Sequence, residues 1–256
     1  GGIGLVEIDS VPIPIYLDMV KEFGAESVRD ASDIFKRARL PQSEIEIECS
    51  RKAAKVSDDV YTYLKNNLRS GMTDQQLFGQ IRQLIYEGGC EYSMEIIDCG
   101  DITMYAPIGS VLAEGSMLHI ELTPAYMGYY NQLTVYLPTS PHTASMQKLF
   151  GVWEKGLQAA AKALRPGAKA CDVYQAGANE IRSHGYETGA SIGHGLGLDV
   201  YEYFGLGPND ETVLEPGMVV VIHPSAQGDG EKIGSQGKTY LVTKDGQEAL
   251  NKVDIV

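Results

Sequence analysis

Apolar residues recur at three- and four-residue spacing over Ile45, Cys49, Ala53, Val56, Val60, Leu64 and Leu68, a stripe that predicts one long amphipathic helix. Ser43 and Glu46 stand ahead of it as a capping-box phrase. Thr73 and Gln76 repeat that phrase before a second helix, with Leu77, Ile81, Leu84 and Ile85 turned inward. From Tyr92 to Leu137 the period shortens to that of strands and turns. Within this stretch Tyr126-Met127-Gly128-Tyr129 predicts a hairpin leading into Gln132-Leu133-Thr134-Val135-Tyr136. A further long helix carries Met146, Phe150, Trp153, Leu157 and Leu164 on one face; a shorter helix over about 170–183 and then strands follow. Ahead of all this, residues 4–8 predict a strand. Residues 16–23 predict a helix halted by Gly24, and residues 30–38 a short helix ending before Pro41. Helices followed by strands, twice over and with antiparallel signals, predict an α+β fold.

The second half echoes the first. The phrase Val111-Leu112-Ala113-Glu114-Gly115-Ser116-Met117-Leu118-His119-Ile120-Glu121 aligns with Val213-Leu214-Glu215-Pro216-Gly217-Met218-Val219-Val220-Val221-Ile222-His223. Leu68-Arg69-Ser70-Gly71-Met72-Thr73 aligns with Leu164-Arg165-Pro166-Gly167-Ala168-Lys169, also just before a helix. The separation is too long for a solenoid, so the echo predicts two halves of one domain related by a pseudo-two-fold. It also sets Glu121 opposite His223.

Composition narrows the partners. The 256 residues, 43% of them hydrophobic, fill one large or two modest domains. A net charge of −13, from 21 basic and 34 acidic residues, argues against nucleic acid and anionic membrane surfaces and leaves a small-molecule substrate as the expected partner. No apolar run reaches the length of a membrane span. Cys49, Cys90, Cys99 and Cys171 show no CxxC or finger spacing and read as thiols of a reducing compartment. With no leader-type segment in the sequence, a cytoplasmic location is expected.

Chemistry concentrates in Gly193-His194-Gly195-Leu196-Gly197-Leu198-Asp199-Val200-Tyr201-Glu202 and in Leu214-Glu215-Pro216-Gly217-Met218-Val219-Val220-Val221-Ile222-His223-Pro224. Two of the five histidines stand there, one in a glycine-rich turn and one at the end of an apolar strand. That placement points to a polar pocket. These phrases, with Gly128-Tyr129 and the closing Leu241-Val242-Thr243-Lys244-Asp245-Gly246, resemble the pita-bread hydrolases: prolidase, aminopeptidase P, creatinase and methionine aminopeptidase. The resemblance implies a pita-bread catalytic-type domain over 43–256. Ala31-Ser32-Asp33 then marks 1–42 as the end of a creatinase-like N-terminal domain plus linker. It also implies a homodimer.

Members of that family typically hold two divalent metals with Asp, Asp, His, Glu and Glu. By position these are matched here by Glu121, Gln132, His194, His223 and about Gly237. The Arg that follows the second Asp is matched by Val135, and two substrate-facing His positions by Met104 or Tyr105 and by Tyr201. Two dications need several bridging anions, so no metal and no other cofactor is expected. Three readings stand. The first is a metal-independent creatinase- or prolidase-like enzyme acting on a C–N bond of a small amino-acid-like, guanidino or amide substrate. His194 and His223 would shuttle the proton there, and Glu121 would assist. Gln132, Tyr105, Tyr130, Tyr201 and Glu202 would bind substrate. The second is a mononuclear metal site of His194, His223 and Glu121 or Gln132 in an Xaa-Pro peptidase-like hydrolase. The third is a catalytically inactive binding or scaffold protein. By period two His119 shares a strand face with Glu121 and enters as a supporting group.

Overall fold

In the computed structural model, which describes residues 2–99, 107–228 and 230–255 (the side chains of 231 and 232 apart), the chain divides into two units, Gly1–Pro41 and Gln42–Val256. In the first unit, β1 (Ile3–Leu5) pairs in parallel with β2 (Val28–Asp30). Helix α1 (Ile13–Phe23) connects them and α2 (Ser32–Arg39) follows. The predicted strand over 4–8 is shorter than expected. At Glu7 the backbone turns left-handed (φ 53°) and its N–H donates to Ser32 Oγ at 2.8 Å instead of to a ladder partner.

The second unit opens with α3 (Glu44–Asn67), where the Glu46 carboxylate accepts the Ser43 N–H at 2.6 Å. Its buried face runs through Ile47, Ala53, Ala54, Val56, Val60, Tyr61 and Leu64. Ile45, expected inside, is 79% exposed. Ile47 takes the inward place in the first turn because it packs in a core cluster with Leu196, Val219, Val221, Leu241 and Leu250. Thr73 and Gln76 exchange bonds of 3.2 and 3.0 Å to open α4 (Asp74–Glu87). Strand β4 (Met117–Tyr126) pairs antiparallel with β3 (Tyr92–Asp98), with β5 (Tyr129–Tyr130) and with β6 (Leu133–Pro138). Met127 (φ 51°) and Gly128 (φ 83°) both have positive φ in the predicted hairpin, as a type I′ turn requires.

The second half repeats this plan. Helices α5 (Ala144–Ala163) and α6 (Ala170–Ser183) precede β7 (Gly193–Leu196), β8 (Val219–Ile222), the β9 (Ala226–Gly228)–β10 (Glu231–Ile233) ribbon, β11 (Lys238–Val242) and β12 (Gln247–Ala249). The main sheet here has the order β12-β11-β8-β7. The internal echo is written into the backbone hydrogen bonds. Gly71 N–H donates to the Leu112 carbonyl at 2.9 Å, as Gly167 N–H does to Leu214 at 2.8 Å. Leu112 N–H bonds the Met72 carbonyl at 2.9 Å, and Leu214 N–H bonds Ala168 at 2.8 Å. Gly115 and Gly217, equivalent in the echo, both turn at positive φ, 80° and 93°. The two halves are thus built on one α+β plan. Among the described residues, no helix is long and apolar enough to cross a membrane.

Two links join the sheets of the halves into one surface. Thr134 and Gly237 exchange backbone bonds of 3.1 and 2.9 Å. Beside them Gln132 N–H donates to Thr239 Oγ1 at 3.1 Å, and that hydroxyl donates back to the Gln132 carbonyl at 2.7 Å. Trp153, buried on α5, donates its indole N–H to the Pro224 and Gln236 carbonyls at 3.1 and 3.0 Å, holding the segments that follow β8 and precede β11.

Candidate functional site

Strand register decides which side chains meet. Ile96 pairs with Glu121, Glu121 with Thr134, and Thr134 with Gly237. The β8–β11 register brings Gly237 beside His223, whose N–H donates to the Ile192 carbonyl at 2.8 Å. One row therefore crosses both sheets with Glu121 and His223 flanking Thr134 and Gly237. The neighbouring rows are Asp98–His119–Tyr136 in the first half and His194–Val221–Thr239 in the second. Directly paired residues share a face, so His119, Glu121, His194 and His223 present their side chains to one side.

The imidazoles are held as neutral rings. His194, 7% exposed, stands with its ring centroid 5.3 Å from that of His223 and an interplanar angle of 70°. Burial lowers His194 to about 4; burial and the neighbouring His194 lower His223 to about 3. His194 Nδ1 lies 3.1 Å from the Gly195 carbonyl, which can only accept, so Nδ1 carries the proton and Nε2 keeps its lone pair. His119 stacks on Tyr136 at 4.2 Å and its Nε2 donates to the Ser235 carbonyl at 3.0 Å, leaving Nδ1 as acceptor. The proton-shuttling role expected of His194 and His223 meets these environments at a disadvantage, because both rings stay unprotonated at neutral pH.

Glu121 moves the other way. Burial pushes its carboxyl up to about 7, against the pull of a hydrogen bond from the Gln132 side chain. Gln132 is 1% exposed, and its Oε1 has no partner. His223 is half-buried as a residue, yet both ring nitrogens are shielded from solvent and unpartnered. Buried polar atoms left open on adjoining rows of one sheet face are the mark of a place where a polar ligand completes the hydrogen bonding.

The remaining expected site residues are distributed differently. Tyr201 is 61% exposed but stacks over His194 at 4.3 Å, a partial cover for the ring. Glu202 is buried beneath the glycine-rich turn, where its carboxylate accepts the Asp199 N–H at 3.2 Å and its own N–H bonds the Gly195 carbonyl at 2.9 Å. It braces the turn that carries His194. Tyr130 packs against the core cluster and meets Tyr92 edge-on at 6.2 Å. Tyr105 lies outside the described residues. Thr239, Asp98 and Tyr136 were not singled out by sequence; strand period two would have placed Asp98 and Tyr136 beside His119 once the pairing register was known.

A two-metal centre does not fit these donors. A Cβ at Gly237 would stand 1.8 Å from the Ile222 carbonyl oxygen and 2.6 Å from His223 Cα, so no ligating side chain can occupy that position. Gln132 offers a neutral amide, which leaves Glu121 as the lone carboxylate of the matched set. Among the described residues, no group of three or more His, Cys, Asp or Glu is placed to hold a metal ion.

The architecture and this site define an α+β domain of duplicated halves with a cluster of buried polar side chains on the face they share. Residues 48–245 match Metallopeptidase family M24, and the chain belongs to that family of peptidases, hydrolases of peptide C–N bonds. It is 24% identical over 254 residues to the Xaa-Pro dipeptidase of Pyrococcus horikoshii, covering 96% of this chain and 72% of that one. In structure it is similar to the X-Pro aminopeptidase from Thermotoga maritima (TM-score 0.90, 20% identity, 99% of this chain and 73% of that one). It is likewise similar to the prolidase from Pyrococcus horikoshii (TM-score 0.88, 22% identity, 100% and 76%). The fold is the pita-bread fold.

Proposed function

We propose that the chain is a metal-independent hydrolase of a C–N bond in a small amide- or guanidine-type substrate, with Glu121 moving the proton. The observation that carries this reading is Glu121: a carboxyl pushed up to about 7, on the same row as the unpartnered His223 nitrogens. An acid-base group works best when its pKa lies near the working pH, and on this row the carboxyl, not an imidazole, meets that condition. The neutral histidines serve as hydrogen-bonding groups that orient substrate and water.

In the proposed step the oxygen of a water molecule bonds to the electrophilic carbon as one of its protons passes to the Glu121 carboxylate. The C–N bond then breaks, and Glu121 returns that proton to the leaving nitrogen. The products are the oxygen-bearing fragment and an amine, with Glu121 restored. Holding water and substrate together on a row of fixed groups supplies the positioning part of the rate.

The test uses chelator-dialysed protein whose metal content has been measured, with a panel of small amides, guanidines and Xaa-Pro dipeptides followed by NMR. The expected result is C–N cleavage that survives chelation and falls roughly 100- to 10,000-fold in Glu121→Gln. Turnover that appears only with added manganese, zinc or cobalt overturns the reading. So does a Glu121→Gln variant as active as the parent.

A further inference from the structure

The sheet face that carries this row and its neighbours is rich in hydrogen-bond acceptors. His194 spends its N–H on the Gly195 carbonyl and His119 spends its own on Ser235, so each neutral ring turns a lone pair to whatever approaches. Gln132 acts on the Glu121 carboxyl, and its buried Oε1 is open. Glu121 adds two carboxyl oxygens. His223 keeps an N–H without a partner.

The charges agree with the acceptors. Asp98 pairs with His119 on the neighbouring row and acts electrostatically on both His119 and Tyr136. Among the described residues, the ionisable groups that act on His119 and His223 include Asp98 and the neighbouring histidines. A free carboxylate needs convergent N–H donors or a cation to replace its water, and it would face Glu121 and Asp98 instead. An N–H-rich cation meets the opposite situation. Each of its donors finds an acceptor, and its charge faces acidic groups with aromatic surface from Tyr201 and Tyr136 nearby.

We infer that this cluster of polar groups takes a cationic, N–H-rich ligand that carries no free carboxylate, such as an alkylguanidine, an amidine or the amide of a diamine. The inference rests on the reading of this row as the site of the hydrolase, and it names the substrate class of that site. Specificity of this kind is a difference of affinities between ligands that share one end and differ at the other.

Agmatine and L-arginine form such a pair: the same guanidinium and methylene chain, without and with a carboxylate. Isothermal calorimetry on the intact protein is expected to show agmatine binding at least ten-fold more tightly than L-arginine, with glycyl-proline weaker still. Gln132→Met, close in volume but lacking the open acceptor, is expected to weaken agmatine about ten-fold; if that variant does not fold, the comparison on the parent protein decides. L-Arginine or glycyl-proline binding as tightly as agmatine overturns the inference, and so does the absence of any heat with agmatine at millimolar concentration. The two readings fail separately. Cleavage of carboxylate-bearing amides without agmatine preference removes the substrate class and leaves the hydrolase. Tight agmatine binding with no cleavage of any panel compound removes the hydrolase and leaves a cation-binding pocket.

Discussion

Glu121 and His223 occupy equivalent positions in the two halves of the fold and stand on one row of paired strands, separated by Thr134 and Gly237. The same backbone plan thus presents a carboxyl from one half and an imidazole from the other. Burial drives both toward their neutral forms, up to about 7 for Glu121 and down to about 3 for His223. The pocket sheds charge as pH falls through neutrality, whereas an ordinary Glu–His pair would gain it.

That difference has a direct spectroscopic consequence. With ring nitrogens labelled by 15N, His194 is expected to show the Nδ1–H tautomer throughout pH 5.5–9, and neither His194 nor His223 is expected to titrate in that window, since their values lie at about 4 and about 3. A midpoint near 6.5 for either ring would show that it is exposed to water.

Stability should carry the signature of Glu121. Its folded pKa is raised, so its contribution is fully present below the ordinary carboxylate value of 4.5 and is lost as pH climbs through about 7. Glu121→Gln removes that loss. Denaturant titrations are expected to show the variant gaining on the parent between pH 5 and pH 8, by a total on the order of 3 kcal/mol for a shift of this size. A difference independent of pH would refute the assignment.

Two glycines should respond in opposite senses. Gly237→Ala forces a methyl to 1.8 Å from the Ile222 carbonyl oxygen, and the β8–β11 ladder must open to admit it; a loss of more than about 3 kcal/mol is expected. Gly151→Ala on α5 meets no atom within 4 Å and should stabilise by about 0.5–1 kcal/mol through helix propensity. Chemical unfolding of the two variants side by side checks both signs.

The link between the sheets is testable at Thr239. Its hydroxyl accepts from the Gln132 N–H and donates to the Gln132 carbonyl, all of it buried. Thr239→Val keeps the shape and removes both bonds. A loss of roughly 2–3 kcal/mol is expected, because two buried backbone groups are left without partners. Hydrogen exchange at Gln132 should rise in step; unchanged protection there would mean that the link is not structural.

Much of the fold was legible in sequence where local rules decide it. The Thr73–Gln76 exchange, the positive-φ hairpin at Met127-Gly128 and the inward face of α5 follow from capping, turn chemistry and period. The duplication was legible because the turn glycines Gly115 and Gly217 serve one conformation. Ile45 misled because the first turn of a helix faces whatever the tertiary packing brings, and here that is the cluster around Ile47. At the site, Glu121, Gln132, His194 and His223 were legible by position, and the structure brings them to one face. Their protonation was not, since desolvation depends on neighbours distant in the chain. Glu202, expected at a ligand, accepts the Asp199 N–H through one carboxylate oxygen, a contact that period alone does not disclose because it depends on how the glycine-rich turn closes.

Gly237 also limits how the pocket can be re-engineered. Main chain from Thr134 bounds it on one side and from Ile222 and His223 on the other. No single codon change can graft a working side chain at that point. Redesign of this chemistry, by selection or by hand, is channelled through positions 121, 132, 194 and 223 unless the strands themselves are re-threaded.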